Sequence, residues 1–244
     1  MKRISLIVPC LNEEEAIPAF KQEIDRVFKE CLEGYAPELI FVDDGSTDRS
    51  LEMIKKMAEH SPEVKFISFS RNFGKEAAIY AGLEAATGDY AAVMDVDLQD
   101  PPSLLPDMLK AVEKEGYDCA GTRRVTRQGE PLLRSFFARA FYKTIHQISD
   151  TRIVDGARDY KLMTRPVLEA LLSLKEYNRF SKGLYEWVGF RTKWFEYENV
   201  ERVAGETKWS FFKLFLYSIE GIVAFSTAPL ALASIMGVLL SFIS

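Results

Sequence analysis

Five short apolar runs alternate with helix-like stretches in the first half of the chain, and this alternation constrains the fold more than any other feature. The strand-like runs cover residues 4–8, 39–42, 64–69, 90–94 and 119–121. Between two of them, Leu51, Ile54 and Met57 recur at helical spacing. Strands that alternate with helices predict a mostly parallel β-sheet with helices on both faces. We therefore predict an α/β fold.

The composition narrows the class of protein. With 244 residues, of which 48% are hydrophobic, the chain can bury a sizeable core. Its net charge of −5 argues against a nucleic-acid partner, because proteins that bind nucleic acids usually carry a basic face. The cysteines, Cys10, Cys31 and Cys119, lie far apart, so neither a zinc site nor a disulfide framework is indicated. A reducing cytosol fits this pattern.

An acidic motif, Asp95-Val-Asp97-Leu-Gln99-Asp-Pro-Pro, directly follows the apolar run 90–94. In an extended chain, alternate side chains point to the same side, which would bring Asp95, Asp97 and Gln99 together. Oxygen ligands of this kind suit Mg²⁺ or Mn²⁺, whose shell is often completed by substrate phosphates. The alternative is a solvated acidic turn. The motif alone does not decide between them.

Two earlier strands also end in polar residues. Pro9, Asn12 and Glu13 follow the first strand, and Asp43 and Asp44 follow the second. Because ligands of open α/β folds bind at the carboxyl edge of the sheet, these side chains are expected beside the acidic motif. The two aspartates could accept hydrogen bonds from a nucleobase or a ribose, or could act as turn and cap residues.

Taken together, these motifs resemble the inverting glycosyltransferases of family two, which have a GT-A nucleotide-sugar-binding fold. The most similar group is the polyprenyl-phosphate glycosyltransferases, which includes dolichol-phosphate mannose synthase and bactoprenol glucosyltransferases. The resemblance runs from residue 4 to about residue 214. The Gln-x-x-Arg-Trp signature of processive members is absent from the sequence, which argues against polymer synthesis.

The resemblance implies roles for individual residues. It implies a metal held by Asp95, Asp97 and Gln99. Donor-binding positions are Pro9, Asn12, Glu13, Asp43, Asp44, Asn72, Lys75 and Asp95. Loops that close over phosphates in this family correspond to segments containing Arg179, Lys182, Arg202 and Lys208. We assign catalytic roles to Asp97, Arg202 and Asp159.

The expected chemistry is departure of a nucleotide diphosphate from a sugar. A divalent ion and an arginine such as Arg202 would offset the charge on the leaving group. A lipid phosphate acceptor is already largely ionised at neutral pH, so a strong base is not required. Asp159 would then orient the acceptor or act as a base. Alternatively, Arg158 pairs with Asp159 at the surface.

The sequence thus predicts metal-dependent, inverting transfer of one hexose to a polyprenyl phosphate, such as undecaprenyl phosphate. UDP-glucose is the favoured donor. Alternatives are a GDP-mannose-dependent mannosyltransferase and a non-catalytic membrane-bound scaffold with the same fold. A phosphatase that uses Asp-x-Asp as a nucleophile is disfavoured, because the threonine expected after the motif is absent. The oligomeric state is left open, including a homo-oligomer.

Two segments point to a membrane. Residues 134–143 interleave aromatic residues with Arg134, Arg139 and Lys143, so a helix there would have a basic stripe able to meet a lipid phosphate, or simply a solvated face. Residues 222–243 contain no charge, close to the roughly 20 residues that span a bilayer. Pro229 interrupts them, so an interfacial helix before a truncated spanning helix fits equally well. A C-terminal helix buried against the domain is the less favoured alternative.

These features divide the chain into a GT-A domain, residues 1–210, and an amphipathic and transmembrane region, residues 211–244. Arg202, Lys208 and Lys213 put positive charge just before the apolar segment. Because positive charge favours the cytoplasmic side, we expect the catalytic domain at the cytoplasmic face of the cell membrane.

Overall fold

The computed structural model describes residues 1–125, 154, 156–176, 179–198, 219 and 223–243. Within this part, the strands are β1 (Lys2–Cys10), β2 (Tyr35–Asp43), β3 (Val64–Ser68), β4 (Tyr90–Val93), β5 (Cys119–Arg124), β6 (Ala157–Thr164) and β7 (Thr192–Tyr197). The first five confirm the strands predicted from the apolar runs. Strands β6 and β7 were not predicted, because the regular alternation fades after about residue 124.

The strands form one sheet in the order β3-β2-β1-β4-β6-β5-β7. Neighbours β3, β2, β1 and β4 are parallel, as are β5 and β7. Strand β6 lies antiparallel between β4 and β5. The sheet is therefore mostly parallel, as predicted, and its one reversed strand has a consequence for the site. Val93 at the end of β4 pairs with Lys161, so the residues before Lys161 lie beside those after Val93.

Helices cover both faces of the sheet, which confirms the α/β prediction. The described helices are α1 (Ala16–Cys31), α2 (Ser50–His60), α3 (Lys75–Ala85), α4 (Leu105–Lys114), α5 (Arg165–Ser173), α6 (Ser181–Trp187) and α7 (Ala228–Ile243), with a short 3₁₀ turn at Pro102–Leu104. Helix α1 shows why they form: its apolar side chains recur every three or four residues and are buried.

The sheet separates two hydrophobic cores, since alternate side chains of a strand point to opposite faces. In β1, Leu6 and Val8 pack with α1 and α4, whereas Ile7 packs with α3, α5 and α6. Gly82 of α3 permits close packing, because a Cβ there would lie 2.3 Å from an Ile7 methyl group. These cores fix the positions of the loops at the carboxyl edge.

The extended conformation expected for the acidic motif is wrong. Strand β4 ends at Val93, and the following residues turn. Leu98 has a φ of 57°, and the Gln99 N–H donates to Asp97 Oδ1 at 3.1 Å. An aspartate that accepts a hydrogen bond from the residue two positions ahead favours a turn over an extended chain. A turn, rather than strand alternation, therefore arranges these side chains.

The C-terminal helix α7 is apolar and exposed. The side chains of residues 230–242 are all exposed, including Leu230, Leu240 and Phe242, so the alternative of a helix buried against the domain is wrong for them. Among the helices that the structure describes, none combines the length and apolar character needed to cross a bilayer. The predicted domain boundary at residue 210 falls outside the described residues and stays a prediction.

Candidate active site

The loops after β1 and β2 are joined by hydrogen bonds at the carboxyl edge. The Asp44 N–H donates to the Cys10 carbonyl at 2.9 Å. Asn12, with a φ of 52°, accepts from the Thr47 N–H at 2.7 Å through Oδ1. The Glu13 N–H donates to Ser50 Oγ at 2.7 Å. The polar residues expected at this edge are thus together, and part of their hydrogen-bonding capacity holds the two loops in place.

Asp43 and Asp44 are both buried at the end of β2. Asp43 Oδ1 accepts from the Ser46 N–H at 3.3 Å. Asp44 accepts from the backbone N–H groups of Phe73 at 2.6 Å and Gly74 at 3.0 Å. Burial raises the pKa of Asp44 above its ordinary value. Asp44 therefore anchors the loop before α3, a structural role like that of the turn-and-cap alternative. Its contact with a nucleoside stays a prediction, as does that of Pro9.

The anchored loop delivers Lys75 to the edge. Gly45 passes so close to this loop that a Cβ there would lie 2.6 Å from the Arg71 carbonyl carbon. Gly74 has a φ of 99°, which favours glycine, and Lys75 is the first residue of α3. Asn72, the other donor-binding residue predicted on this loop, is exposed. The loop thus positions a lysine at the carboxyl ends of the parallel strands.

Lys75 joins two predicted site residues. Its Nζ lies 2.6 Å from Asp95 Oδ1 and 2.5 Å from Asp159 Oδ2. Burial favours the neutral form of Asp159, but the ammonium groups of Lys75 and Lys182 outweigh it and hold the pKa of that carboxyl below its usual value. The two carboxylates likewise hold the pKa of Lys75 above its ordinary value despite burial. Asp159 is ionised at neutral pH, as an orienting group requires.

The acidic motif offers a donor set that suits a hard divalent cation. Asp95 and Asp97 supply two carboxylates close to the end of β4, and the half-buried Gln99 follows in the same turn. The Lys75 ammonium already forms an ion pair with Asp95, as a metal cation would. In the part of the chain that the structure describes, no three His, Cys, Asp or Glu side chains form a metal cluster. A cation here would need further oxygens, for example from Gln99 or a substrate phosphate.

Arg158 and Asp100 form a second layer of charge that the sequence did not identify. Asp100 is fully buried and accepts from Arg158 Nε at 3.0 Å and from the Tyr197 hydroxyl. Arg158 also approaches Asp95 Oδ2 at 3.9 Å. The alternative surface pair of Arg158 with Asp159 is therefore wrong. The only available signal was the position of Asp100 at the end of the acidic motif; Tyr197 had none.

Two polar atoms of particular interest are buried behind this layer. Asp100 Oδ2 and the Tyr160 hydroxyl are both buried without a hydrogen bond to the described residues. Burial and, to a smaller extent, the nearby negative charge of Asp100 raise the pKa of Tyr160 well above its ordinary value. Within the described ranges, one Asp100 oxygen is therefore without a partner, while the other accepts from Arg158 and Tyr197.

Two predicted phosphate-binding residues lie near helix α6, in different settings. The Arg179 guanidinium donates to the backbone carbonyls of Leu174 at 2.7 Å and Leu171 at 3.3 Å and stacks on Tyr80, so it stabilises the end of α5. Lys182 lies on α6, close enough to Asp159 to affect its pKa. Lys182 therefore lies near the candidate site, whereas Arg179 has a structural role. The phosphate contacts of both residues stay predictions.

Helix α6 is fastened to α3 beside Lys75. Glu76, the residue after Lys75, accepts from the Ser181 N–H at 3.1 Å and from its hydroxyl. The contact fixes the first turn of α6 against the first turn of α3. Four other predicted phosphate- or acceptor-binding residues lie outside the described residues: Arg134, Arg139, Arg202 and Lys208.

Comparison with known proteins identifies close relatives in sequence. The chain matches the family described as "Glycosyl transferase family 2" over residues 5–172. It is 43% identical over 241 residues to a putative glycosyltransferase, CsbB, of Bacillus subtilis, covering 99% of this chain and 72% of the relative. It is 41% identical over 242 residues to a bactoprenol glucosyl transferase of Shigella phage SfV, covering 99% of this chain and 78% of the relative.

Solved structures show the same fold at lower identity. Glucosyl-3-phosphoglycerate synthase from Mycobacterium tuberculosis, solved with Mn²⁺, UDP-glucose and phosphoglyceric acid, is 21% identical with a TM-score of 0.56, covering 89% of this chain and 76% of that one. The mannosyltransferase PcManGT from Pyrobaculum calidifontis, solved with GDP-mannose and Mn²⁺, is 21% identical with a TM-score of 0.54, covering 83% of this chain and 57% of that one. These likenesses confirm the predicted GT-A fold. The chain belongs to glycosyl transferase family 2 and is a glycosyltransferase.

Proposed function

We propose that this enzyme transfers a single glucose from UDP-glucose to a polyprenyl phosphate, with inversion and with the help of a divalent cation, Mg²⁺ or Mn²⁺. The observation that carries the proposal is the meeting of Asp95 and Asp159 on the Lys75 ammonium. Asp95 belongs to the donor-side motif, and Asp159 lies near the start of β6, in the segment expected to face the acceptor. Donor and acceptor chemistry would therefore take place on adjacent residues.

The acceptor class is supported by sequence similarity. The relative from Shigella phage SfV, named a bactoprenol glucosyl transferase, is matched over 99% of this chain. Bactoprenol is a polyprenyl lipid, and its phosphate needs no strong base because it is largely ionised at neutral pH. The lowered pKa of Asp159 agrees with this, since a carboxylate held ionised beside Lys75 is suited to orienting a charged partner rather than taking up a proton.

The cation and the residues have separate roles in this proposal. A bound divalent cation would offset the charge that develops on the leaving nucleotide diphosphate. Asp95 and Asp97, with Gln99, would hold it. Lys75 would steady Asp95 and Asp159 relative to each other. Arg158, held by Asp100, would contribute positive charge next to Asp95. We retain Arg202 as a further cation for the diphosphate.

The membrane is the proposed location, with the catalytic domain at its cytoplasmic face. A polyprenyl phosphate resides in a bilayer, so its enzyme must reach the lipid surface. The exposed apolar side chains of α7 support this, since Leu230, Leu240 and Phe242 are more than 60% exposed. Large exposed apolar surfaces are typical of membrane or protein contacts. The basic stripe containing Arg134, Arg139 and Lys143 remains the candidate surface for the lipid phosphate.

The test is a transfer assay with labelled donors. Membranes containing the enzyme are incubated with undecaprenyl phosphate and either UDP-glucose or GDP-mannose, with EDTA or with added Mn²⁺ or Mg²⁺. We expect label from UDP-glucose in chloroform-soluble lipid, abolished by EDTA and restored by the cation. The Asp107→Asn variant serves as a control, because Asp107 is an exposed acid on α4.

Each other result rejects a specific part of the proposal. Labelled lipid from GDP-mannose alone would identify a mannosyltransferase. Label in a water-soluble product would reject the lipid acceptor. Full activity in EDTA would reject the divalent cation. No transfer from either donor would favour the non-catalytic scaffold, provided that the same membranes support transfer when an active member of the family is added.

A further inference from the structure

Asp95 faces positive charge on both of its carboxylate oxygens. Oδ1 lies 2.6 Å from Lys75 Nζ, and Oδ2 lies 3.9 Å from a terminal nitrogen of Arg158. The Asp95 side chain is 21% exposed, so water screens these contacts only in part. A divalent cation that binds Asp95 must therefore approach a carboxylate already neutralised by the protein. Three cations around one carboxylate repel one another, so one of the protein's own must give way.

Arg158 is the less able of the two to move. Its Nε donates to Asp100, which is fully buried and also accepts from Tyr197. Separating Arg158 from Asp100 would leave a buried carboxylate without its ion-pair partner, which is strongly unfavourable. Arg158 also contacts Asp95 only at the outer limit of an ion pair, at 3.9 Å. It can tolerate a cation at Asp95 without leaving its own partner.

The Lys75 side chain can move away from Asp95, and it has a second ion-pair partner. Its ammonium is a point charge on a flexible four-carbon chain. It already contacts Asp159 Oδ2 at 2.5 Å, so it can give up Asp95 and remain paired. The backbone of Lys75 stays in place during such a change, because Asp44 and Ser181 fasten the loop and the first turn of α3. A short movement of the side chain is sufficient.

We propose that Lys75 is the resident counter-cation of Asp95 and competes with the divalent cation for it, passing wholly to Asp159 when the cation binds. This inference rests on the proposed function, since it concerns the cation site of the donor. It links the two halves of the reaction: loading of the donor side transfers the Lys75 charge to the acceptor-side carboxylate. Lys75 is then a positioning residue for Asp159.

The test measures binding of Mn²⁺ alone, without nucleotide, by the loss of the free Mn²⁺ signal in electron paramagnetic resonance. Lys75→Met keeps the aliphatic side chain and removes the competitor. We expect the variant to bind Mn²⁺ about three- to tenfold more tightly than the wild type, the range expected for partly screened ion pairs. Lys110→Met, which removes an exposed lysine on α4, is the matched control and should leave Mn²⁺ affinity unchanged.

A charge-balanced double variant separates competition from net charge. Lys75→Met with Asp159→Asn removes one positive and one negative charge, so the local net charge equals that of the wild type. Competition predicts that this double variant still binds Mn²⁺ more tightly than the wild type. Circular dichroism establishes that each variant is folded. Stabilisation of the Lys75→Met variant by Mn²⁺ in thermal unfolding, larger than that of the wild type, is the second measurement.

The outcomes distinguish this inference from the proposed function. Equal or weaker Mn²⁺ binding by the Lys75→Met variant would overturn the competition. Tighter binding by the single variant that is absent in the double variant would overturn it too, because net charge alone would then explain the effect. So would a failure of every form, including Lys75→Met, to bind Mn²⁺. Dependence of glucose transfer on a divalent cation is decided separately by the EDTA arm of the transfer assay. The competition can therefore fail while the proposed function stands.

Discussion

The two ends of the sheet use buried charge in different ways. In its amino-terminal half, Glu38 is surrounded by fixed donors: the Ser5 hydroxyl, the Thr87 N–H at 2.9 Å and hydroxyl at 2.6 Å, and Lys65 at 2.5 Å. Each Glu38 oxygen accepts two hydrogen bonds. At the carboxyl edge, one ammonium is shared by Asp95 and Asp159, and one Asp100 oxygen has no hydrogen-bond partner in the described part of the chain.

The comparison distinguishes a carboxylate that stabilises the fold from carboxylates that are placed to take part in the reaction. Around Glu38, hydrogen bonds from Lys65, Ser5 and Thr87 outweigh the effect of burial and lower its pKa to about 2. A fully satisfied carboxylate has no capacity left for a ligand. At the carboxyl edge, Asp95 and Asp159 instead share the Lys75 ammonium, and Arg158 approaches Asp95 only to 3.9 Å. Carboxylates that share an ammonium can exchange it for another cation more readily than Glu38 can exchange its fixed donors.

The largest expected effect is that of Asp95→Asn on catalysis. An amide keeps the shape but loses the charge that Lys75 and a divalent cation require. We expect transfer to lipid to fall about 10²- to 10³-fold, the usual range for lost electrostatic stabilisation. The melting temperature should change little. Transfer within twofold of the wild type would break the assignment of the carboxyl edge to chemistry.

The next largest effect is that of Glu38→Gln on stability, with activity per folded molecule unchanged. The pKa of Glu38, about 2 in the folded state against a usual 4.5, is lowered, so its contribution is complete above about pH 4.5 and is lost as the pH falls toward 2. We expect a loss of about 3 kcal/mol at pH 7 that disappears in acid. Urea unfolding of wild type and variant from pH 7 to pH 3 measures it. A constant difference across this range would contradict the linkage.

Asp100→Asn should have an intermediate effect that acts through Arg158. Loss of the charge leaves Arg158 less firmly held beside Asp95, and we expect kcat to fall about tenfold, equivalent to about 1.4 kcal/mol. A double-mutant cycle with Arg158→Gln is the decisive measurement. The two effects should be strongly non-additive, because both change one guanidinium. Additive effects on kcat would show that Asp100 does not position Arg158.

The smallest effect is expected at the rim of the amino end. The Tyr35 hydroxyl donates to Glu113 Oε2 at 2.6 Å, and Glu113 also accepts from Lys2 and Tyr90. Tyr35→Phe removes one bond while Glu113 keeps its other donors. Urea unfolding should show a loss of about 1 kcal/mol or less. A loss as large as that of Glu38→Gln would show that the hydrogen bonds of Glu113 stabilise the fold as much as those of the more deeply buried Glu38.

Much of the fold could be predicted from the sequence because the signals are local. Apolar runs and helical spacing identified five strands and the placement of helices on both faces. The rule that parallel strands end at a common edge then brought the polar loops together. The same local logic failed for the acidic motif, since a turn at Leu98 replaced the extended chain. A left-handed residue of this kind has no reliable sequence signal outside glycine and asparagine.

Local sequence patterns are therefore sufficient to predict the α/β class and the edge at which chemistry is expected. The groups that meet at this edge are brought together by the folding of distant segments. Strand β6 enters antiparallel beside β4, and this reversal puts Arg158 and Asp159 next to Asp95. Asp44 and Gly45 fix the loop that brings Lys75 to both carboxylates. Local periodicity does not encode these pairs, because their members are distant in sequence and meet through sheet order and packing.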